Sequence, residues 1–149
     1  VETQGAPFVT LKHRTLVLHA RPDLSTERRQ EILASWYREQ LRAALPPVIA
    51  KWERLLGVRV ERVFVQQMKT KWGSANPKRR TIRLNTELAK KPAEHLDYVV
   101  LHEMAHFISP RHDDRFRNVL DQHMSNWSSI RGELNTGQLS SHGSRRGTR

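Results

Sequence analysis

"LHEMAHFISPRH", Leu101 to His112, places three histidines and one glutamate within twelve residues. Its reading decides the rest of the chain. His102, Glu103 and His106 spell HExxH. On a helix, residues four apart lie one above the other, so both imidazoles project to one side and can share a divalent ion, with the glutamate beside them. The bare pattern turns up in roughly 3% of shuffled sequences of this composition, so its surroundings must carry the argument. Leu96, Val100, Met104 and Phe107 or Ile108 follow at helical spacing and predict a buried helix bearing one polar patch. Such a patch needs partners for its imidazoles.

The chemistry follows from the residue types. Neutral imidazole suits zinc, and the glutamate is placed as general base, taking a proton from the water that the metal acidifies and returning it to a leaving amine. A catalytic zinc needs a third protein ligand and an open position. His112 lies six residues after His106, the separation of the last two histidines in HExxHxxGxxH. Ser109 and Pro110 stand where that pattern has its glycine turn. Proline disfavours helix at Ser109, so the helix should end there and a loop should bring His112 back. Asp121 or His123 is the alternative third ligand. Asp113 and Asp114 are expected to start the next helix or to orient a ligating imidazole.

Composition narrows the class. At 149 residues the chain suits one domain, and with 37% hydrophobic residues and four Trp it reads as globular. No apolar run approaches the ~20 residues of a membrane span, and no secretory leader is visible. Zero cysteines exclude disulfides and thiolate metal sites and point to the cytoplasm. Of the formal charge of +11, three belong to Arg145, Arg146 and Arg149, which leaves +8 on the body. That excess makes nucleic-acid or nucleotide contact through a basic surface an expectation, alongside a merely solvated face.

Outward from the motif, Pro92 is placed as the first residue of its helix. "TIRLN", Thr81 to Asn85, predicts a strand with Ile82 and Leu84 on one face, and Val58 to Gln66 another with a bulge near Arg62. "KTKWGSANPKRR" between them reads as a polar loop, with Trp72 a packing anchor and Gly73 a tight-turn residue. Residues 8–19 suggest one or two short strands. Ser25 caps a helix carrying Ile32, Leu33, Trp36, Tyr37, Leu41 and Leu45; Pro46 and Pro47 interrupt it, and a second helix runs from Val48 to a left-handed cap at Gly57. Phe116, Val119, Leu120 and His123 form a further helical stripe, and Trp127, Ile130 and Leu134 continue the packing. The domain is therefore placed at residues 1–133, with 134–149 a basic, disordered tail. His13, His19, His95 and His142 have no partner at ligand spacing and are expected on the surface or in strands. His123 is expected to pack or to face the cleft as an oxyanion donor, and Tyr98 to pack in the core.

"MKTKWGSANPKRRTIRLNTEL" and "LDYVVLHEMAHFISPRHDDRF", at their separation, resemble the YgjP-like metallopeptidase family, related to SprT-type proteases. The resemblance runs from "LASWYREQLRAAL" to the region of Trp127. It implies a zincin-like α+β domain, a small, mostly antiparallel sheet packed on helices around the HExxH helix. It also implies zinc bound by His102, His106 and His112, with Glu103 as catalytic base and a protein or peptide as substrate. The strand Thr81 to Asn85 would border the cleft and offer its edge to substrate. Ala75 stands where the family has cysteine, Arg111 and Asp113 bracket the third histidine in place of Asn and Ser, and Arg117 replaces an aromatic, so no substrate preference is carried over. Some bacterial members carry a nucleotide-pyrophosphatase label. Two alternatives therefore stand beside the peptidase: a metal-dependent nucleoside-triphosphate pyrophosphatase, gripping phosphates through Lys71 to Arg83, and a nucleic-acid-associated module with a structural zinc. The chain has no P-loop and no acidic cluster for Mg²⁺, which weighs against the first.

Overall fold

The computed structural model describes residues 6–12 and 15–136. In chain order these form strands β1 (Phe8–Lys12) and β2 (Thr15–His19), helix α1 (Thr26–Leu56), strands β3 (Arg62–Gln66), β4 (Gly73–Asn76) and β5 (Thr81–Asn85), a 3-10 turn (Thr86–Lys90), and helices α2 (Ala93–Ala105), α3 (Asp114–His123) and α4 (Trp127–Thr136). β1 and β2 make an antiparallel hairpin. The second sheet has the order β3-β5-β4, with β5 parallel to β3 and antiparallel to β4. Two of the three ladders are thus antiparallel, and helices cover the inner face of the second sheet, giving an α+β fold.

α2 is the axis of the core. Every residue from His95 to Ala105 except Asp97 is buried, among Trp72, Ile82 and Leu84 from the sheet side and Leu120, Ile130 and Leu134 from the last two helices. Burying each such apolar side chain contributes about 1.5–3 kcal/mol. Asp97, half-buried, ties α2 to α1 by accepting from Lys51 Nζ at 2.6 Å and Trp52 Nε1 at 2.8 Å.

Several elements differ from their sequence expectation. Pro46 and Pro47 do not divide α1, which runs unbroken for 31 residues from its Ser25 cap to Gly57, where φ is 69°. Both prolines lie on the exposed face, while Leu41, Leu45 and Trp52 keep the buried stripe in register across them. The carbonyls that proline leaves without an amide partner therefore face water. β3 begins only at Arg62. The preceding residues are held separately, Val60 N–H by Glu53 Oε2 at 2.9 Å and Glu61 N–H by the Arg80 carbonyl at 2.7 Å.

The expected polar loop contains β4, so Gly73 lies in a strand rather than a turn. β5 is the central strand, paired on both sides, and cannot offer a free edge; β3 and β4 are the outer strands. Pro92 caps α2 instead of opening it, and α2 ends at Ala105, four residues before Ser109. The boundary drawn after residue 133 falls inside α4, whose Leu134 is fully buried. His13, His142 and the tail beyond residue 136 lie outside the described residues. Among those described, no helix is long and apolar enough to cross a membrane.

Candidate metal centre

The HExxH residues occupy the last turn of α2, where His102 and Glu103 are each only 5% exposed. His106 is its half-buried C-cap. After it the chain makes tight turns to Ser109, and the segment to Asp113 brings His112 back over α2. The three imidazoles then converge: one ring nitrogen from each of His102, His106 and His112 lies within 4.8 Å of the others. His102 Nε2 and His112 Nε2 are 3.3 Å apart.

Neighbours fix the orientation of these rings. His106 Nδ1 lies 3.2 Å from the Ser109 carbonyl, an acceptor, so Nδ1 carries the proton and Nε2 of the neutral ring keeps its lone pair. His102 Nδ1 meets the Tyr98 hydroxyl at 3.2 Å. Burial raises the pKa of that phenol, which stays neutral. Phe116, itself buried, forms an apolar floor, with its ring centroid 4.9, 4.6 and 4.9 Å from those of His102, His106 and His112. Three imidazoles converging over an apolar floor, one of them oriented by a backbone carbonyl and one by a phenol, are a donor set that fits a divalent ion.

The turn carrying His112 is clamped at both ends. Asp113 caps α3 by accepting from Phe116 N–H at 3.0 Å and also accepts from Ser109 Oγ at 2.7 Å. The Phe116 amide, then the Ser109 hydroxyl, hold the Asp113 carboxyl below its ordinary value. Arg117 Nη1 donates to the His112 carbonyl at 2.9 Å.

The histidines open into a cleft of about 260 Å³, walled by Lys71, Gly73, Ser74, Ala75 and Pro77 on the β4 side and by Glu103 and Pro110 on the other. Gly73 sets the depth of this cleft. A Cβ there would lie 3.0 Å from Val99 Cγ1, 3.1 Å from the Arg83 carbonyl and 3.1 Å from Glu103 Cγ. Glycine at this position lets β4 pack directly on the turn of α2 that presents Glu103. Asn85, fully buried, secures the same edge by donating from Nδ2 to the Met68 and Lys71 carbonyls at 2.9 and 2.7 Å. Reading the sequence for catalytic types passed over Gly73, Asn85 and Phe116. The GSAN stretch held the available signal, since small residues in a strand mark a close approach.

The other candidates sit elsewhere. Asp121 accepts from Trp127 Nε1 at 2.7 Å. His123 packs edge-to-face on Trp52 at 6.0 Å. His19 stacks on Phe8 in the hairpin. His95, expected on the surface, is buried on α2 with Nε2 2.8 Å from Glu133 Oε1. Glu94, His95 and Glu133 also bring ligand-type atoms within 4.8 Å of one another, but both carboxylates are exposed.

An α+β fold in which a central helix carries HExxH, with a third histidine returned over it, defines a zincin-like metallopeptidase. A model of the YgjP-like metallopeptidase domain matches residues 1–137, and the chain belongs to that family. Its fold is similar to the crystal structure of the abylysin zymogen, a metallopeptidase of Pyrococcus abyssi, with TM-score 0.57 and 19% identity over 61% of this chain and 91% of that one. The jannalysin zymogen, a metallopeptidase of Methanocaldococcus jannaschii, gives TM-score 0.54 and 25% identity over 61% and 93%. No curated protein matches the chain.

Proposed function

We propose that the protein is a zinc-dependent peptidase in which His102, His106 and His112 hold the ion and Glu103 is the general base. The observation that carries this reading is the convergence of three ring nitrogens within 4.8 Å, in a cleft that Glu103 also lines. Zinc bound there would supply Lewis acidity toward a carbonyl and lower the pKa of a water to near neutrality.

The chain's own residues supply the rest. Glu103, buried at the cleft wall, accepts the proton of the attacking water and returns it to the departing amine. Gly73 keeps β4 close enough for an extended substrate to lie against both the strand and Glu103. With β5 enclosed between its neighbours, the free backbone edge beside the cleft belongs to Gly73–Asn76, which pairs with substrate as an added strand. Tyr98 and the Ser109 carbonyl hold two of the imidazoles, and Phe116 packs against all three.

The deciding experiment measures bound zinc and then compares wild type with Glu103→Gln. The expected result is a variant that keeps its zinc and loses cleavage of unfolded protein by about 10²-fold or more. Pyrophosphate release from nucleoside triphosphates is followed in parallel. A wild type that consumes nucleotide through Glu103 and never cuts protein sinks the peptidase reading.

A further inference from the structure

His102 and His112 border two cavities. One is the cleft beneath β4. The other is a small hollow of about 120 Å³ that shares these two histidines and is closed by Phe116, Arg117, Trp127 and Arg131. Its composition is unusual for a subsite beside a metal centre, because two aromatic walls carry two guanidinium groups.

These walls are built rather than incidental. Trp127 is fixed by donating Nε1 to Asp121 Oδ1 at 2.7 Å, and the Arg131 guanidinium lies over its ring at 5.3 Å. Arg117 is fixed by the His112 carbonyl at 2.9 Å and by Asp114 at 2.8 Å. Arg131 is half-buried, and among the described residues none of the ion pairs includes it. A guanidinium held against an indole at the wall of a small, otherwise largely apolar hollow matches a carboxylate in charge and in its capacity for paired hydrogen bonds. The volume admits an acidic side chain or a terminal carboxylate and little more.

We infer that this hollow is a carboxylate-binding subsite, with Arg131 the residue that selects substrates bearing a carboxylate on one side of the scissile bond. The inference rests on the peptidase reading, with substrate running from the β4 cleft across the histidines. A carboxylate seated against Arg131 would anchor the chain beyond the metal, and a neutral isostere would leave the guanidinium without a counter-charge.

The test uses the full chain loaded with zinc. One peptide set, acetylated and amidated, sets Asp or Glu against Asn or Gln at each position around the cleaved bond; a second compares free with amidated C-termini in neutral peptides. The carboxylate member should show kcat/KM about tenfold above its neutral partner at one position, and the set in which this appears tells a side chain from a terminus. Arg131→Met should bring that ratio close to one, and Arg131→Lys should retain part of it. Equal rates in both sets, or a ratio that Arg131→Met leaves intact, would overturn the subsite. If wild type cuts no peptide at all, the peptidase reading fails, and the hollow is judged by tryptophan-fluorescence titration of Glu103→Gln with the same peptides. Tighter binding of the acidic member that disappears on adding Arg131→Met upholds the subsite; equal affinities overturn it.

Discussion

At the scale of single residues, the centre depends on groups that do no chemistry. Gly73 is one, because a methyl group there meets a backbone carbonyl as well as two side chains. The carbonyl belongs to the central strand and has nowhere to retreat. Gly73→Ala should therefore lift β4 from α2, destabilising the fold by about 1–3 kcal/mol. It should also displace Glu103, lowering kcat/KM by about 10²-fold. Denaturant midpoints and peptide kinetics read the two effects separately, and a fully stable, fully active alanine variant would show that the strand can shift at no cost. Tyr98 is another such residue. Tyr98→Phe keeps the ring in the core and removes only the hydroxyl facing His102, so stability should change little while zinc affinity falls about tenfold or more. Competition with a chelator measures this directly.

At the scale of elements, legibility followed the kind of signal each element carries. α2 was readable because a 3.6 period and HExxH coincide, and β5 because Ile82 and Leu84 alternate with Thr81 and Arg83. β4 was not readable. GSAN has no apolar alternation, since its role is to let the sheet approach a helix, and small residues serve that role without leaving a hydrophobic pattern. α1 was misread for the opposite reason: two prolines are strong local breakers, yet the packing of Leu41, Leu45 and Trp52 overrides them. The override still has a cost. Pro47→Ala restores an amide donor toward Ala43 on the exposed face, and should raise stability by about 2 kcal/mol once the looser unfolded chain is set against it. A drop in the thermal midpoint would instead show that the prolines hold a bend the core requires.

At the scale of the whole molecule, the order in which the site became legible reflects how it is built. His102, Glu103 and His106 are local in sequence and were readable from it. The return of His112 was anticipated from its spacing, the helix break at Pro110 and the family resemblance. Its supports, the Asp113 cap, the Ser109 hydroxyl, Arg117 on the carbonyl and Phe116 beneath the rings, are side-chain contacts within residues 109–117 that no spacing pattern announces. A metal held by all three histidines would link the end of α2 to the start of α3 and so stabilise the folded chain by mass action. Zinc at a thousandfold excess over its dissociation constant should add about 4 kcal/mol. His112→Ala should remove most of that increment, because two imidazoles on one helical turn leave the ion without its third protein donor, whereas Glu103→Gln should leave it almost unchanged. Thermal unfolding of wild type and both variants with and without zinc separates ligand from base without relying on turnover. An increment that survives His112→Ala would move the third ligand elsewhere, and one lost with Glu103→Gln would make the glutamate a ligand.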